Sequence, residues 1–250
     1  MQEPILQCSG VGHDYGSFRA VGQVDLALAP AGIHALIGPN GAGKTTFFNI
    51  VSGRLPASRG QMVFRGHDFT RSPAPERIRL GMARSFQITS LFRAGTVRHN
   101  LRLAALGADA SRQRAWWRRW TPQADERIDA LLRALELEPF ADRTVESLSH
   151  GLQRVLEIGM CLVPRPQVLL LDEPLAGLGL GDIPRVTQLL QALGRDHAIL
   201  LVEHNMRVVM SISDRITVIF QGNVLAHGTP HEVRHDEEVR RVYLGTQSKG

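Results

Sequence analysis

Apolar and polar positions alternate in two rhythms along this chain. Two short runs, Val168-Leu169-Leu170-Leu171 and Ala198-Ile199-Leu200-Leu201-Val202, are unbroken, as strands covered on both faces must be. A helix predicted over residues 183–193 separates them, so the three make a βαβ unit. Further strands are predicted at residues 5–8, 24–28, 33–37, 61–64 and 81–83, with a closing hairpin at 216–220 and 223–226 turning on Gln221-Gly222. The 3.6-residue rhythm takes over at 46–51, 97–106, 125–137 and 152–163, and again in a charged tail at 230–244. Turn signals fall at 53–56 and 58–60, and a Pro-containing loop at 72–75. Almost all of residues 96–163 is helical in pattern. The expected fold is α/β: one domain over residues 1–250, with a strand-rich N-terminal part. Its core would take residues 1–87 and 164–250, and 88–163 would form an inserted α-helical subdomain.

Between the apolar run Ile33-His34-Ala35-Leu36-Ile37 and the helix-compatible Thr46-Phe47-Phe48-Asn49-Ile50-Val51 stands Gly38-Pro39-Asn40-Gly41-Ala42-Gly43-Lys44-Thr45-Thr46. This matches G-x-x-x-x-G-K-[ST] without a mismatch and in the required strand-to-helix context. A polyphosphate needs several N–H donors converging on it, so glycines must let the backbone wrap closely while the new helix points its positive end at the anion. Lys44 is placed to reach the β- and γ-phosphates, and the Thr45 hydroxyl to ligate Mg²⁺. The core is therefore that of a P-loop NTPase.

Composition narrows the setting. At 43% hydrophobic and 21% charged, the chain belongs with globular proteins. It has no apolar run of the roughly 18 to 20 residues that span a bilayer, and Met1-Gln2-Glu3-Pro4 does not open a secretion signal. Any membrane association is expected through a partner. Cys8 and Cys161 lie far apart among apolar neighbours and predict buried free thiols in a reducing cytosol. The net charge of +5 comes almost entirely from Arg, with Lys only at positions 44 and 249. This reads as compositional bias, or as a basic surface facing phosphates or lipid headgroups.

The run at 168–171 ends in Asp172-Glu173. A carboxylate at the C-terminal edge of a parallel strand, beside a phosphate loop, can hold Mg²⁺ through water. The next one, Glu173, is placed to polarise a water for in-line attack on the γ-phosphate. Upstream, Tyr15 either packs in its own turn or stacks on a base, a contact worth roughly 1 to 3 kcal/mol.

Leu148-Ser149-His150-Gly151-Leu152-Gln153-Arg154, shortly before the Asp172 strand, is similar to the signature L-S-G-G-Q-Q-R. From about residue 5 to 245 the chain resembles the ATPase subunit of ATP-binding cassette (ABC) transporters. The resemblance implies that Ser149, His150 and Gly151 close over ATP held by the phosphate loop of a second subunit; Ser149 would also cap the helix that follows. It implies that Gln87 senses Mg²⁺ and the attacking water, that His204 contacts the γ-phosphate, and that Tyr15 stacks on adenine. The cofactors implied are ATP and Mg²⁺, the metal being held by Thr45, Gln87 and Asp172. His150 replaces a signature Gly, and Leu152 replaces a Gln and removes a polar contact. Gly179 stands where the family usually has Asp or Asn reaching across the dimer. These departures imply slower hydrolysis, or reliance on a partner's complete residues.

Arg84-Ser85-Phe86-Gln87 with Leu91-Phe92, Thr96-Val97 and Asn100-Leu101, and the ending Ala226-His227-Gly228-Thr229-Pro230 through Val242-Tyr243-Leu244-Gly245, are similar to importers of branched-chain amino acids and of urea or short amides. Leu148-Ser149-His150-Gly151 with Leu156-Glu157-Ile158-Gly159-Met160 leans toward the urea and amide side. The resemblance implies two membrane-spanning permease subunits, a second ATPase subunit (a paralogue or a copy of this chain) and, indirectly, a periplasmic or extracellular substrate-binding protein. No nucleic acid is expected. The chain would sit peripherally on the cytoplasmic face of the inner (plasma) membrane. The other readings are an exporter ATPase for lipid or polysaccharide, and a soluble nucleotide switch, though the latter usually carries two cassettes or a long coiled coil. The Trp- and Arg-rich residues 112–120 form either a packed loop with solvated arginines or a contact with membrane subunits or headgroups.

Overall fold

A computed structural model describes residues 3–85, 91–108 and 122–247. In chain order the elements are β1 (Leu6–Tyr15), β2 (Phe18–Leu28), β3 (Gly32–Ile37), α1 (Lys44–Val51), β4 (Arg59–Phe64), β5 (His67–Asp68), α2 (Ala74–Leu80), β6 (Met82–Arg84) and α3 (Val97–Ala108). There follow α4 (Pro122–Ala134), α5 (His150–Leu162), β7 (Val168–Asp172), α6 (Ile183–Gly194), β8 (Ala198–Val202), α7 (Met206–Ile212), β9 (Arg215–Phe220), β10 (Asn223–Gly228), α8 (Pro230–His235) and α9 (Glu237–Gln247).

Two sheets organise the chain. One is antiparallel in the order β2-β1-β4-β5; the other runs β10-β9-β3-β8-β7-β6 and is parallel except where β10 returns along β9. Every residue of β7 and β8 is buried, because each strand feeds two cores at once. Leu169, Leu171, Ile199 and Leu201 pack with Leu156 of α5 and Val186 and Leu190 of α6. Val168, Leu170, Leu200 and Val202 point the other way, onto Phe47, Phe48 and Ile50 of α1 and Leu6, Val24 and Met62 of the antiparallel sheet. The period-two alternation of side chains turns each unbroken apolar run into both faces of a sandwich, and each such side chain contributes roughly 1.5 to 3 kcal/mol.

Several expected elements change shape. The long helical pattern at 96–163 is interrupted: α4 stops at Ala134, and residues 138–140 and 145–147 form single 3₁₀ turns around an isolated bridge from Thr96 to Thr144. Pro139 removes a helix donor and Thr144 is extended. The charged tail is two helices, because Asp236 adopts an extended backbone after α8, which starts with a reciprocal Thr229–Glu232 capping box.

Helix α2 occupies what reads in the sequence as a loop. Proline in its first turn and left-handed Gly81 at its end delimit it. It carries Arg77, buried to 2% exposure, whose Nη1 donates to the carbonyls of Ile50 and Val51 at 2.8 and 2.7 Å. Its Nε donates to Ser72 O and its Nη2 to Thr70 O, and the guanidinium lies 4.7 Å over the Phe69 ring. Burial pushes the guanidinium pKa down to about 10. Arg77 thus closes the C-terminal end of the helix that the phosphate loop opens.

Cys8 and Cys161 are free and buried, and burial pushes both thiols up to about 12. Among the described residues no helix is long and apolar enough to cross a membrane.

Candidate functional site

The phosphate loop leaves β3 at the centre of the parallel sheet and enters α1 at Lys44. Glycine is required at position 38 by a close approach: a Cβ there would stand 2.1 Å from the Ile219 carbonyl oxygen of β9. The Lys44 ammonium folds back over the loop, donating to Gly38 O at 2.8 Å and Pro39 O at 2.9 Å. Burial pushes its pKa down, against the opposing pull of Glu173 and Asp172. Asn40, Gly41 and Thr45 face solvent, Pro39, Gly43 and Thr46 are half-buried, and Ala42 is buried, its N–H donating to Pro39 O at 3.2 Å.

Asp172 ends β7 and is buried, in an ion pair with Arg84 Nη2 at 3.3 Å. Burial raises its carboxyl pKa, partly offset by Arg84. Arg84 also donates from Nη1 to Asn49 Oδ1 and Ser52 Oγ, at 2.7 and 2.6 Å, and lies 4.6 Å over the Phe48 ring, so one guanidinium ties the loop's helix to the β7 carboxylate. Glu173, next in the chain, has a left-handed backbone at φ 48°, an uncommon conformation for a residue with a side chain that concentrates at functional sites. Its N–H donates to Val202 O at 2.8 Å, and its Oε1 lies 2.8 Å from His204 Nε2. The parallel sheet therefore gathers Lys44, Asp172, Glu173 and His204 at the carboxyl ends of β3, β7 and β8.

Ser149, His150 and Gly151 stand apart, at the start of α5. Ser149 caps the helix, its Oγ accepting from Leu152 N at 3.3 Å. Ser149 and His150 are exposed, while Leu152 is buried in the core. Gly151 packs so closely on Asp182 that a Cβ would meet Oδ1 at 2.3 Å. Gln153 donates to Val145 O and Leu148 O and fixes the approach to the cap. Among the described residues no hydrogen bond joins this segment to the phosphate loop. Gly179 and Leu180 are exposed, Leu180 to 89%.

Tyr15 ends β1 opposite Phe18, its ring half exposed and edge-on to His13 at 4.6 Å. Gln87 and the Trp- and Arg-rich residues 112–120 lie outside the described residues. Reading the sequence missed Arg84 and Arg77 as organisers of α1, and it missed Glu203. Glu203 is buried and accepts N–H bonds from Leu175 at 2.8 Å, His204 at 2.9 Å and Asn205 at 3.2 Å. An acidic residue directly after the apolar run 198–202 and before His204 is the signal the sequence offered for it.

A phosphate loop at a helix start, a buried Asp and a Glu–His pair at the carboxyl edge of a parallel sheet define a P-loop nucleotide hydrolase. Comparison with known proteins narrows this. The family model "ABC transporter" matches residues 21–176, and a second, "Branched-chain amino acid ATP-binding cassette transporter", matches residues 223–248. The chain is 39% identical over 254 positions to the high-affinity branched-chain amino acid transport ATP-binding protein LivG of Escherichia coli, covering 98% of this chain and 99% of LivG. It is 34% identical to the lipopolysaccharide export system ATP-binding protein LptB of the same species, covering 96% and 97%. The crystal structure of the ADP conformation of MJ1267, an ATP-binding cassette of an ABC transporter, superposes with a TM-score of 0.87 at 27% identity, covering 98% of this chain and all of that one. The chain belongs to the ATP-binding subunits of ABC transporters, and is an ATPase that works with membrane permease partners.

Proposed function

We propose that this chain powers an importer of branched-chain amino acids from the cytoplasmic face of the membrane. The single observation that carries the reading is the match of the C-terminal segment 223–248 to the branched-chain amino acid cassettes, supported by full-length similarity to LivG. Urea and short amides are a second reading, favoured by the Ser149-His150-Gly151 signature.

Within the site, Glu173 takes the proton of the attacking water and His204 holds that carboxylate in place. Thr45 and Asp172 offer hard oxygen donors of the kind that suit Mg²⁺, which typically binds one or two carboxylates together with substrate phosphates. When bound, the metal neutralises charge developing on the phosphates. Gln87 completes that set, Tyr15 stacks on adenine, and the backbone of residues 38–46 cradles the phosphates. Ser149, His150 and Gly151 of this chain serve the nucleotide of a second cassette.

The permease docks on the apolar cavity of about 290 Å³ between α2, β6, α3 and α5, lined by Ile78, Ala83, Leu91, Ala104 and Met160. Two buried polar atoms of residues lining it lack a hydrogen-bond partner, the Arg84 Nε donor and a Glu157 carboxylate oxygen. Ile78, Leu103 and Leu106 are exposed on these same helices.

Uptake of radiolabelled leucine, valine, urea and acetamide by cells deleted for this chain and complemented with it tests the reading. Restored leucine and valine uptake is expected. Restored urea uptake alone would shift the substrate, and unchanged uptake with impaired export of an envelope lipid would overturn the direction. Ile78→Glu should release the chain from membranes without weakening ATP binding; retention would remove the docking face.

A further inference from the structure

We infer that Glu203 is a positioning residue for hydrolysis: it locks the peptide that carries His204 to the loop that follows Glu173. The inference rests on the roles proposed above for Glu173 and His204.

Glu203 is 4% exposed, and its carboxylate is filled by backbone donors from two separate segments. Oε1 accepts from Leu175 N at 2.8 Å. Oε2 accepts from His204 N at 2.9 Å and Asn205 N at 3.2 Å. Three N–H groups converging on one buried carboxylate make charge-assisted bonds about twice as strong as neutral ones. On one side the chain is further pinned where Glu173 N donates to Val202 O and Ala176 N to Glu173 O. On the other, Asn205 caps α7 by accepting from Val208 N at 3.3 Å. Of the two side chains of the proposed reaction, His204 therefore sits on a peptide held by this carboxylate and Glu173 two residues before another, and their own 2.8 Å contact depends on that clamp.

The clamp also reaches outward. Leu175 is buried, whereas Ala176, Gly177, Gly179 and Leu180 are exposed. A second cassette pressing on the exposed part of this loop would pull on Leu175 N, and Glu203 would pass the displacement to the His204 peptide. Glutamine at 203 cannot replace the carboxylate. Its one carbonyl oxygen can serve one segment, and its NH₂ would face the N–H groups of the other, donor against donor.

The test uses the purified full chain and the variants Glu203→Gln, His204→Ala and the double variant. MgATP affinity, turnover, thermal melting and the His204 imidazole Cε1–H resonance are measured, the last identified by its loss in His204→Ala. Glu203→Gln is expected to bind MgATP within about twofold of the parent yet turn over about 10- to 100-fold more slowly, the scale on which a misplacement of about 1 Å acts. Its His204 resonance should move, and the double variant should be no slower than His204→Ala alone. Turnover within twofold of the parent, an unmoved resonance, or losses that multiply in the double variant would each overturn the inference. If Glu203→Gln gives no cooperative melt, Glu203→Asp, one methylene too short to reach both segments, decides by the same thresholds. A His204→Ala chain that hydrolyses ATP at the parent rate would sink the His204 assignment itself; a slow His204→Ala beside a fast Glu203→Gln would sink only the clamp.

Discussion

The two chemistry-bearing halves of this molecule are built differently. Around the phosphate loop the side chains already engage one another: Lys44 with its own loop, Arg84 with Asp172, and Glu173 with His204. Around the signature, Ser149 and His150 face solvent beside a loop whose residues 176, 177 and 179–181 are exposed, while the helix cap and Gln153 are satisfied internally. The first half is assembled within one chain. The second presents exposed groups, as the nucleotide sandwich between two cassettes proposed above would require. The sequence departures obey the same division. Lys44, Thr45, Asp172, Glu173 and His204 are intact, and His150, Leu152 and Gly179 all fall on the outward half or directly beneath it.

The largest expected effect breaks the self-contained half. Glu173→Gln should retain MgATP binding and lose turnover by about 10² to 10⁴, trapping a closed dimer visible by size-exclusion chromatography; normal turnover would refute the assigned base. Lys44→Ala should weaken MgATP binding by about 10- to 100-fold in a filter-binding or fluorescence assay, the scale of a charge-assisted bond. Unchanged affinity would count against the loop.

Arg77→Met probes the support beneath that half. It removes the side-chain donors to the Val51, Ser72 and Thr70 carbonyls, while Ile50 O keeps only its bond from Gly53 N, and should cost about 3 kcal/mol, or roughly 6 to 12 °C in melting temperature. A change under 2 °C would mean that α1 ends without help from Arg77.

A pH effect should come from the strand that feeds the loop. His34 on β3 is 5% exposed, 2.8 Å from Thr217 Oγ1, which in turn lies 3.0 Å from His227 Nδ1. Burial, aided by His227, pushes its pKa from 6.5 down to about 4. Between those values the unfolded chain binds the proton and the folded chain does not, so stability is complete above pH 6.5 and falls as pH drops toward 4. From pH 7 to pH 5 the loss attributable to His34 is about 2 kcal/mol. Urea melts of the parent and His34→Gln at both pH values check it, and an equal pH loss in the two would remove His34 as its source.

The smallest effect belongs to the outward half. A Cβ at Gly179 meets nothing within 4 Å, so Gly179→Asn should fold as the parent does, gaining up to about 1 kcal/mol through the unfolded state. It should also raise turnover, if the missing polar group is what slows hydrolysis across the dimer. A destabilised variant would show that the loop needs glycine for its own conformation.

Much of this arrangement was legible in the residues alone. The runs at 168–171 and 198–202 declared two-sided strands because a strand covered on both faces must be apolar at successive positions, not at alternate ones. The phosphate loop was legible because its chemistry is carried by the backbone and tolerates few residue types. Helices α2 and α7 were not, since one hides behind prolines and the other, with Val208, Val209 and Ile212 in seven residues, carries strand-forming side chains.

The sequence by itself determined the class of fold, the phosphate loop, the buried Asp172 strand and the order in which the chemistry-bearing segments occur. Those are local properties, set by periodicity and by which residues a backbone geometry admits. Only the tertiary structure decided that Arg77 closes α1, that Arg84 lies on Asp172, that His34 is neutral in the core, and that Glu203 joins two loops. Each depends on donors and acceptors from segments far apart in the chain meeting in a space without water, where a charged group must find every partner it needs.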